Sequence, residues 1–164
     1  MAATSKPSVA AEPSPQRAAG APQDVERFSL VTLQMAGWLW LEETPPGDPG
    51  DAYWQLANAI GVALAGPECR LQRGRFDWPL HRSAQLDAGA GAASAALQAF
   101  LQRRLEQTAC AGLVVLGEAT RARLTGCDLQ DGPRIATVAI AEMLRDPGLK
   151  QTAWRDLQVL RGSS

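Results

Sequence analysis

Short, strongly apolar runs alternate along the chain with stretches in which apolar residues recur at helical spacing. The runs at residues 113–116 and 135–139 are almost wholly apolar, which is typical of strands buried on both faces of a sheet. A shorter segment at 75–78, closed by Pro79, predicts a further strand. The longest run, at 28–41, ends at two glutamates and a proline-rich break. It contains one or two buried strands, or it is a hydrophobic peptide displayed to a partner.

Helical spacing of apolar residues predicts four helices among these strands. The first covers residues 53–64, with Asp51 as its N-cap. The last covers 149–161, after Asp146 as a cap and Pro147 in the first turn, and the other two cover 97–105 and 118–124. Strands that alternate with helices are typical of a parallel sheet covered on both sides. We therefore expect an α/β fold, a three-layer α/β/α sandwich around a central, mostly parallel four-stranded sheet.

Composition narrows the class of protein. With 164 residues, of which 46% are hydrophobic and 20% charged, the chain has the length and balance of one globular domain. The net charge of -1 gives no overall attraction to nucleic acid or to an anionic membrane. Three cysteines without a C-x-x-C pair argue against a disulfide framework and a metal centre, so we expect no cofactor and a cytoplasmic location. No apolar run reaches the roughly 20 residues that span a bilayer, and the sequence leads us to expect no secretion signal.

Three segments differ in composition. Residues 1–26 are built largely from Ala, Pro, Ser and Gly, and we expect them to form a disordered tail. Residues 27–46 form a hydrophobic segment between that tail and the proline-rich break, and 47–164 form the remaining domain. The isolation of the hydrophobic segment favours a partner-binding role. Burial in the sheet is the alternative interpretation.

Candidate catalytic residues are few. His81 is the only histidine, and the sequence indicates no partner for it. Glu118 follows a glycine at a predicted strand-to-helix turn, but the turn lacks both the P-loop and the dinucleotide-binding pattern. Arginines are concentrated between residues 70 and 104, and a weak candidate nucleic-acid-binding patch consists of Arg70, Arg73, Arg75 and Arg82. A solvated face of the domain accounts for these arginines equally well.

The C-terminal half of the chain resembles the uracil-DNA glycosylase superfamily. The resemblance begins with the predicted strand at 113–116, the glycine that follows it and the predicted strand at 135–139. After them, the residues that keep the family's spacing are Leu144, Arg145, Pro147, Lys150, Trp154, Asp156 and Leu157. The resemblance implies the family's fold over about residues 53–160. It also places the family's catalytic histidine at Ala139, whose methyl group cannot donate a hydrogen bond to a departing base. A protein without this activity is therefore implied, and we expect Leu144, Trp154 and Leu157 to lie in its core.

Within this fold, the chain is similar to the psi subunits of bacterial DNA polymerase III, which are not catalytic. The likeness covers the C-terminal pattern and an N-terminal segment whose candidate partner-binding residues are Leu33, Gln34, Gly37, Trp38, Trp40 and Leu41. It implies an adaptor of DNA replication whose N-terminal segment binds the clamp loader. The globular part would bind the chi subunit, which contacts single-stranded-DNA-binding protein, and neither a membrane nor a small-molecule substrate is expected. The alternatives are a divergent uracil-DNA glycosylase-like enzyme that uses Glu118 or His81, and a DNA-binding module in repair.

Overall fold

A β-hairpin is the first element that the structure describes, and it forms the middle of the sheet. The computed structural model describes residues 25–80, 87–129 and 132–162. The strands are β1 (Phe28–Met35), β2 (Trp38–Thr44), β3 (Gln72–Trp78), β4 (Leu113–Leu116) and β5 (Arg134–Thr137). The helices are α1 (Asp51–Ala65), α2 (Ala90–Thr108), α3 (Glu118–Arg123), α4 (Ile140–Arg145) and α5 (Leu149–Leu157), and short 3-10 turns follow α3 and α5.

The five strands form one mixed sheet in the order β3-β1-β2-β4-β5. β1 pairs antiparallel with both β2 and β3, whereas the shorter pairings of β4 with β2 and with β5 are parallel. The fold is therefore α/β as predicted, but the sheet has five strands, not four, and it is not mostly parallel. The difference arises because the first apolar run folds into two strands that pair with each other.

The turn of this hairpin explains why the sequence does not reveal it. Ala36 and Gly37, the two residues between the strands, have φ angles of 53° and 74°. Two consecutive positive φ angles are typical of a type I′ turn, which Asn-Gly or Asp-Gly normally marks. An alanine in the first position gives no such signal, so the run reads as one continuous hydrophobic segment.

Each face of the sheet carries its own apolar cluster. Alternate residues of β1 divide between them, with Val31 and Leu33 on the first face and Phe28 and Leu30 on the second. Helices α1, α4 and α5 pack on the first face, and α2 together with the turn after α3 packs on the second. Residues 27–46 therefore belong to the folded domain, because both faces of the hairpin are covered. The part of the predicted tail at 1–24 lies outside the described residues.

The four predicted helices are present, with corrections at their ends. Gly50, not Asp51, is the N-cap of α1, and Asp51 is its first residue. α5 begins at Leu149 after Gly148, while Asp146 accepts a hydrogen bond from the Gly148 N–H at 2.9 Å. The six-residue helix α4 has no counterpart in the sequence prediction. Among the residues that the structure describes, no helix combines the length and apolarity that crossing a membrane requires.

Candidate functional site

The carboxyl ends of the parallel strands are the first place to look for a ligand site. After β2 the chain crosses to β3 on one side of the hairpin, and it then returns to β4 on the other side. Ligands of open α/β sheets bind at such a reversal of strand order, outside the carboxyl ends of the strands. Here that crevice lies between the ends of β2 and β4, next to the N-terminus of α4.

Glu42, near the end of β2, fills the crevice from within. Its side chain is on the α1 face and the residue is only 1% exposed. One carboxylate oxygen accepts hydrogen bonds from the Tyr53 hydroxyl at 3.0 Å and from the Ile140 N–H at 2.9 Å. The other oxygen accepts from the Ala141 N–H at 3.0 Å. The carboxylate therefore satisfies two otherwise unpaired N–H groups at the start of α4 and links this helix to β2 and α1.

The environment of Glu42 also changes its titration. Burial raises the pKa of its carboxyl group, and the hydrogen bonds from Ala141, Ile140 and Tyr53 only partly offset that increase. Burial and the adjacent carboxylate also raise the pKa of Tyr53. A perturbed carboxyl in a strand-end crevice is a usual sign of catalysis. Here the carboxylate is inaccessible and its partners are all groups of the protein, so the arrangement performs a structural function.

The other wall of the crevice is closed by Gly117 and Ala139. Gly117 has a φ of 81° and donates a hydrogen bond to the Thr137 carbonyl at 2.8 Å. A Cβ atom at Gly117 would lie 2.9 Å from the Ala139 Cβ, so the two backbones are already in close contact. Ala139, the position at which the family resemblance implies a catalytic histidine, is buried as the N-cap of α4.

Arg123 binds the neighbouring carboxylate, Glu43, whose side chain lies on the opposite face of the sheet from that of Glu42. Its guanidinium donates to both carboxylate oxygens of Glu43 at 3.0 Å, pairs with Glu26 and lies 4.1 Å from the centre of the Phe28 ring. Its hydrogen bonds with Glu43 raise the pKa of Arg123, while burial opposes the change. In addition, the Glu43 N–H donates to the Thr120 hydroxyl at 2.7 Å. The carboxylates of Glu42 and Glu43 are therefore both bound by groups of the chain itself.

A second polar cluster lies where β2, β1 and β3 meet at the same end of the sheet. Thr44, Ser29 and Asp77 are direct neighbours across these strands, and all three line a cavity of about 670 Å³. The Ser29 hydroxyl donates to Asp77 at 2.5 Å, while the Thr44 hydroxyl is buried and has no hydrogen-bond partner among the residues that the structure describes. Burial opposes ionisation of Asp77, but the hydrogen bonds from Ser29 and Arg75 hold its pKa below the usual value. Arg75 also donates to the carbonyls of Pro45 and Gly47, which fixes the proline-rich loop.

The six residues predicted to bind a partner lie in the hairpin. The alternative interpretation of this segment is burial in the sheet, and the hairpin lies in the sheet. Leu33 and Trp40 are directly opposite each other in the β1–β2 register, and both are buried, as are Trp38 and Leu41. The Trp40 indole N–H donates to the Met35 carbonyl at 3.2 Å. Of the remaining two residues, Gln34 is partly buried and Gly37 occupies the exposed turn. A partner could reach the buried side chains only if the hairpin left the sheet.

The arginines predicted to bind nucleic acid do not form one free cationic surface. Arg70 is exposed beside Glu68, and the Arg73 guanidinium lies 4.2 Å from the centre of the Trp54 ring. Arg75 is held by Asp77 and by backbone carbonyls. Arg82 lies outside the described residues, as does His81.

The remaining candidate groups give no support for an enzymatic site. Glu118, a candidate catalytic residue, is exposed on α3 and pairs with Arg121 at 2.6 Å. Within 25–80, 87–129 and 132–162, no three His, Cys, Asp or Glu side chains lie together as a metal site would require.

The open apolar surface of the described structure lies elsewhere, in a groove between α1 and α5. It has a volume of about 370 Å³, and its walls include Leu56 and Ile60 from α1 and Trp154 from α5. We name it the α1–α5 groove. Leu157 at its base is buried as predicted, but Trp154 is only partly buried and Leu144 is 39% exposed. Two of the three residues expected in the core therefore lie at the surface, because none of the described elements covers this side of α4 and α5.

Sequence reasoning missed Glu42, the residue that organises the strand-end crevice. The available signal was its position as the first charged residue after the long apolar run. A charge at the carboxyl end of a buried strand faces either solvent or a partner in the core, and the sequence alone does not distinguish these cases. A search of protein-family models, of curated proteins and of solved structures finds no match to the chain.

Proposed function

We propose that this protein is a non-catalytic adaptor of the DNA replication machinery, similar to the psi subunits of DNA polymerase III. In this proposal it works in the cytoplasm and links the clamp loader to the chi subunit, and through chi to single-stranded-DNA-binding protein. Its fold is proposed to be a three-layer α/β/α sandwich of the uracil-DNA glycosylase type, in which the catalytic position is Ala139.

The observation that carries this proposal is the filled crevice at the carboxyl ends of β2 and β4. The one carboxylate at its centre, Glu42, is buried and binds the N-terminus of α4. Ala139 lies against the Gly117 turn, where a Cβ atom added to the glycine would be 2.9 Å from the Ala139 Cβ. A general acid or base must come within hydrogen-bond reach of the group on which it acts. Since that condition is not met here, a binding role explains the domain better than a reaction does.

Partner contacts in this proposal lie on the outer surface of the domain. The hairpin tryptophans predicted from the sequence are part of the core, and their exposure would unfold the centre of the sheet. The C-terminal pattern that carries the family resemblance includes two surface residues, Leu144 and Trp154. Partly exposed tryptophan is strongly enriched among the residues that dominate protein interfaces. These positions support a contact made by the C-terminal helices.

The proposal is tested with purified components. The full chain is mixed separately with chi and with the clamp-loader subunits, and complexes are measured by size-exclusion chromatography with light scattering and by calorimetry. We expect a stoichiometric complex with each partner, and a ternary complex when chi, the chain and the clamp loader are combined. The variant Leu144→Glu is compared with Leu80→Glu, which changes another exposed leucine far from α4 in the chain.

Two further assays separate the proposal from its alternatives. Uracil release from DNA that contains uracil would establish an enzyme and overturn the proposal. Binding to any DNA duplex that weakens steeply with salt concentration, without binding to the replication proteins, would favour a DNA-binding module instead. Absence of a complex with both chi and the clamp loader would also refute the adaptor function.

A further inference from the structure

The α1 helix has an unusual surface for a helix at the outside of a domain. Its inward residues Tyr53, Ala57 and Gly61 are buried against the sheet, as expected. Asp51, at its first position, is the only charged residue in all 15 positions of the helix. Surface helices normally place charged side chains on the face opposite the core. The exposed Ala59 and Ala63 instead line the α1–α5 groove, so this face is both apolar and shallow.

The charge at the rim of the groove has one sign. Lys150 is exposed and is the only charged residue among those that line the groove. The Arg161 guanidinium lies 5.8 Å from the centre of the Trp154 ring, so a second cation stands beside the groove's aromatic wall. The carboxylate of α5, Asp156, accepts a hydrogen bond from the Thr137 hydroxyl at 2.7 Å and is committed to β5. The rim therefore attracts negative charge.

We propose that the α1–α5 groove binds an amphipathic α-helix of a partner protein, with acidic residues along the edge of that helix next to Lys150. The inference names a docking surface for the adaptor function proposed above, and its biological meaning rests on that function. Leu56, Ile60 and Trp154 contact the apolar stripe of the incoming helix. The carboxylates of the partner then lie near Lys150 and Arg161.

A helix fits this groove better than an extended segment does. The lining residues of α1 run from Leu56 to Ala63, which at 1.5 Å per residue is roughly 11 Å, and this length can accompany about two turns of a partner helix. Alanines at positions 59 and 63 allow the backbone of a neighbouring helix to approach closely. Apolar residues at i, i+3, i+4 and i+7 of the partner would enter the groove, as in other helix-in-groove complexes.

The experiment is a selection of helical peptides on the full chain. The probe is a phage-displayed library in which leucine is fixed at i, i+3, i+4 and i+7 and the flanking positions are random. Selection on the wild type is compared with selection on Ala59→Glu, which places a bulky charge in the groove. Asn58→Glu is the matched control, because Asn58 is exposed on the same helix and outside the groove lining. Peptides enriched on the wild type are then synthesised and their affinities measured by fluorescence anisotropy.

We expect the enriched peptides to carry an excess of Asp and Glu on one flank relative to the starting library. Ala59→Glu should weaken their binding at least tenfold, and Asn58→Glu less than twofold. Lys150→Glu should weaken the binding of acidic peptides about fivefold. The same variant should bind peptides that carry Lys in place of the acidic residues more tightly than the wild type does. The inference would be overturned if the enriched peptides were neutral or basic, or if they were enriched equally on Ala59→Glu. It would also be overturned if no peptide were enriched on the wild type. Because no replication protein is used, this result is independent of the test of the adaptor function.

Discussion

The hairpin and the α1–α5 groove each contain a tryptophan, but one side chain is buried and the other is partly exposed. Trp40 is 0% exposed, lies between other strands and donates its indole N–H to the Met35 carbonyl. Trp154 lies on a helix, is only partly buried and forms one wall of an open groove. A tryptophan in the core stabilises the domain, whereas a tryptophan at an open surface is available to a partner. The difference in burial follows from the surroundings, because helices cover Trp40 on its face of the sheet, whereas Trp154 lies on the partly exposed side of α5.

The largest expected effect separates these two tryptophans directly. Trp40→Ala should lower the free energy of unfolding by about 3–5 kcal/mol, because it empties the centre of the sheet. Trp154→Ala should cost about 1 kcal/mol, since its side chain is already partly in water. Urea denaturation followed by circular dichroism measures both values under one set of conditions. Equal losses would show that the groove is part of the core.

The sequence predicts the helices and the strand β4 better than it predicts the hairpin in the middle of the sheet. Strands such as β4 and the helices α1, α2 and α5 follow from periodicity, because a continuous or helically spaced apolar pattern has few other solutions. The hairpin does not follow, because Ala36-Gly37 is a weak turn signal. The sealed crevice does not follow either, because the hydrogen bonds of Glu42 join residues that are 98 and 99 positions apart. Contacts of such range depend on the whole topology.

The next effect concerns the buried Glu42 carboxylate in the crevice between the ends of β2 and β4. Glu42→Gln replaces one acceptor oxygen with an NH₂ group that faces backbone donors, and it should lower the free energy of unfolding by about 2 kcal/mol at neutral pH. The loss measures how far this region depends on the carboxylate. Glu118→Gln, at an exposed position of α3, is the control and should change stability by less than about 0.5 kcal/mol.

The loss caused by Glu42→Gln should also depend on pH. Burial raises the pKa of Glu42 above the ordinary 4.5, so its contribution to wild-type stability is complete below about pH 4.5 and decreases as the pH rises through the raised value. The variant has no titrating group here. The stability difference between wild type and variant should therefore widen as the pH falls from 8 towards 4.5. A stability difference that narrows over this pH range would contradict a raised pKa for Glu42.

A smaller effect, of opposite sign, is expected at the neighbouring polar cluster. Thr44→Val removes a buried hydroxyl that has no partner, and it should raise the free energy of unfolding by about 1 kcal/mol. Ser29→Ala is the matched change on the next strand, but the Ser29 hydroxyl donates to Asp77. It should therefore destabilise the domain by about 1 kcal/mol. If both variants shift stability in the same direction, the difference between a satisfied and an unsatisfied hydroxyl is not what governs this end of the sheet.

The smallest effect tests the turn that makes the first apolar run a hairpin. Ala36 has a φ of 53°, a left-handed conformation that costs an alanine roughly 1 kcal/mol and that asparagine tolerates better. Ala36→Asn should raise the free energy of unfolding by about 0.5 kcal/mol, and Ala36→Val should lower it by more than 1 kcal/mol, because a β-branched side chain is strained at positive φ. Both values come from urea titration of the full chain. A stabilising valine would mean that the two residues do not form a type I′ turn. The register of the hairpin, and with it the burial that distinguishes Trp40 from Trp154, would then be set by the strand pairing and not by this turn.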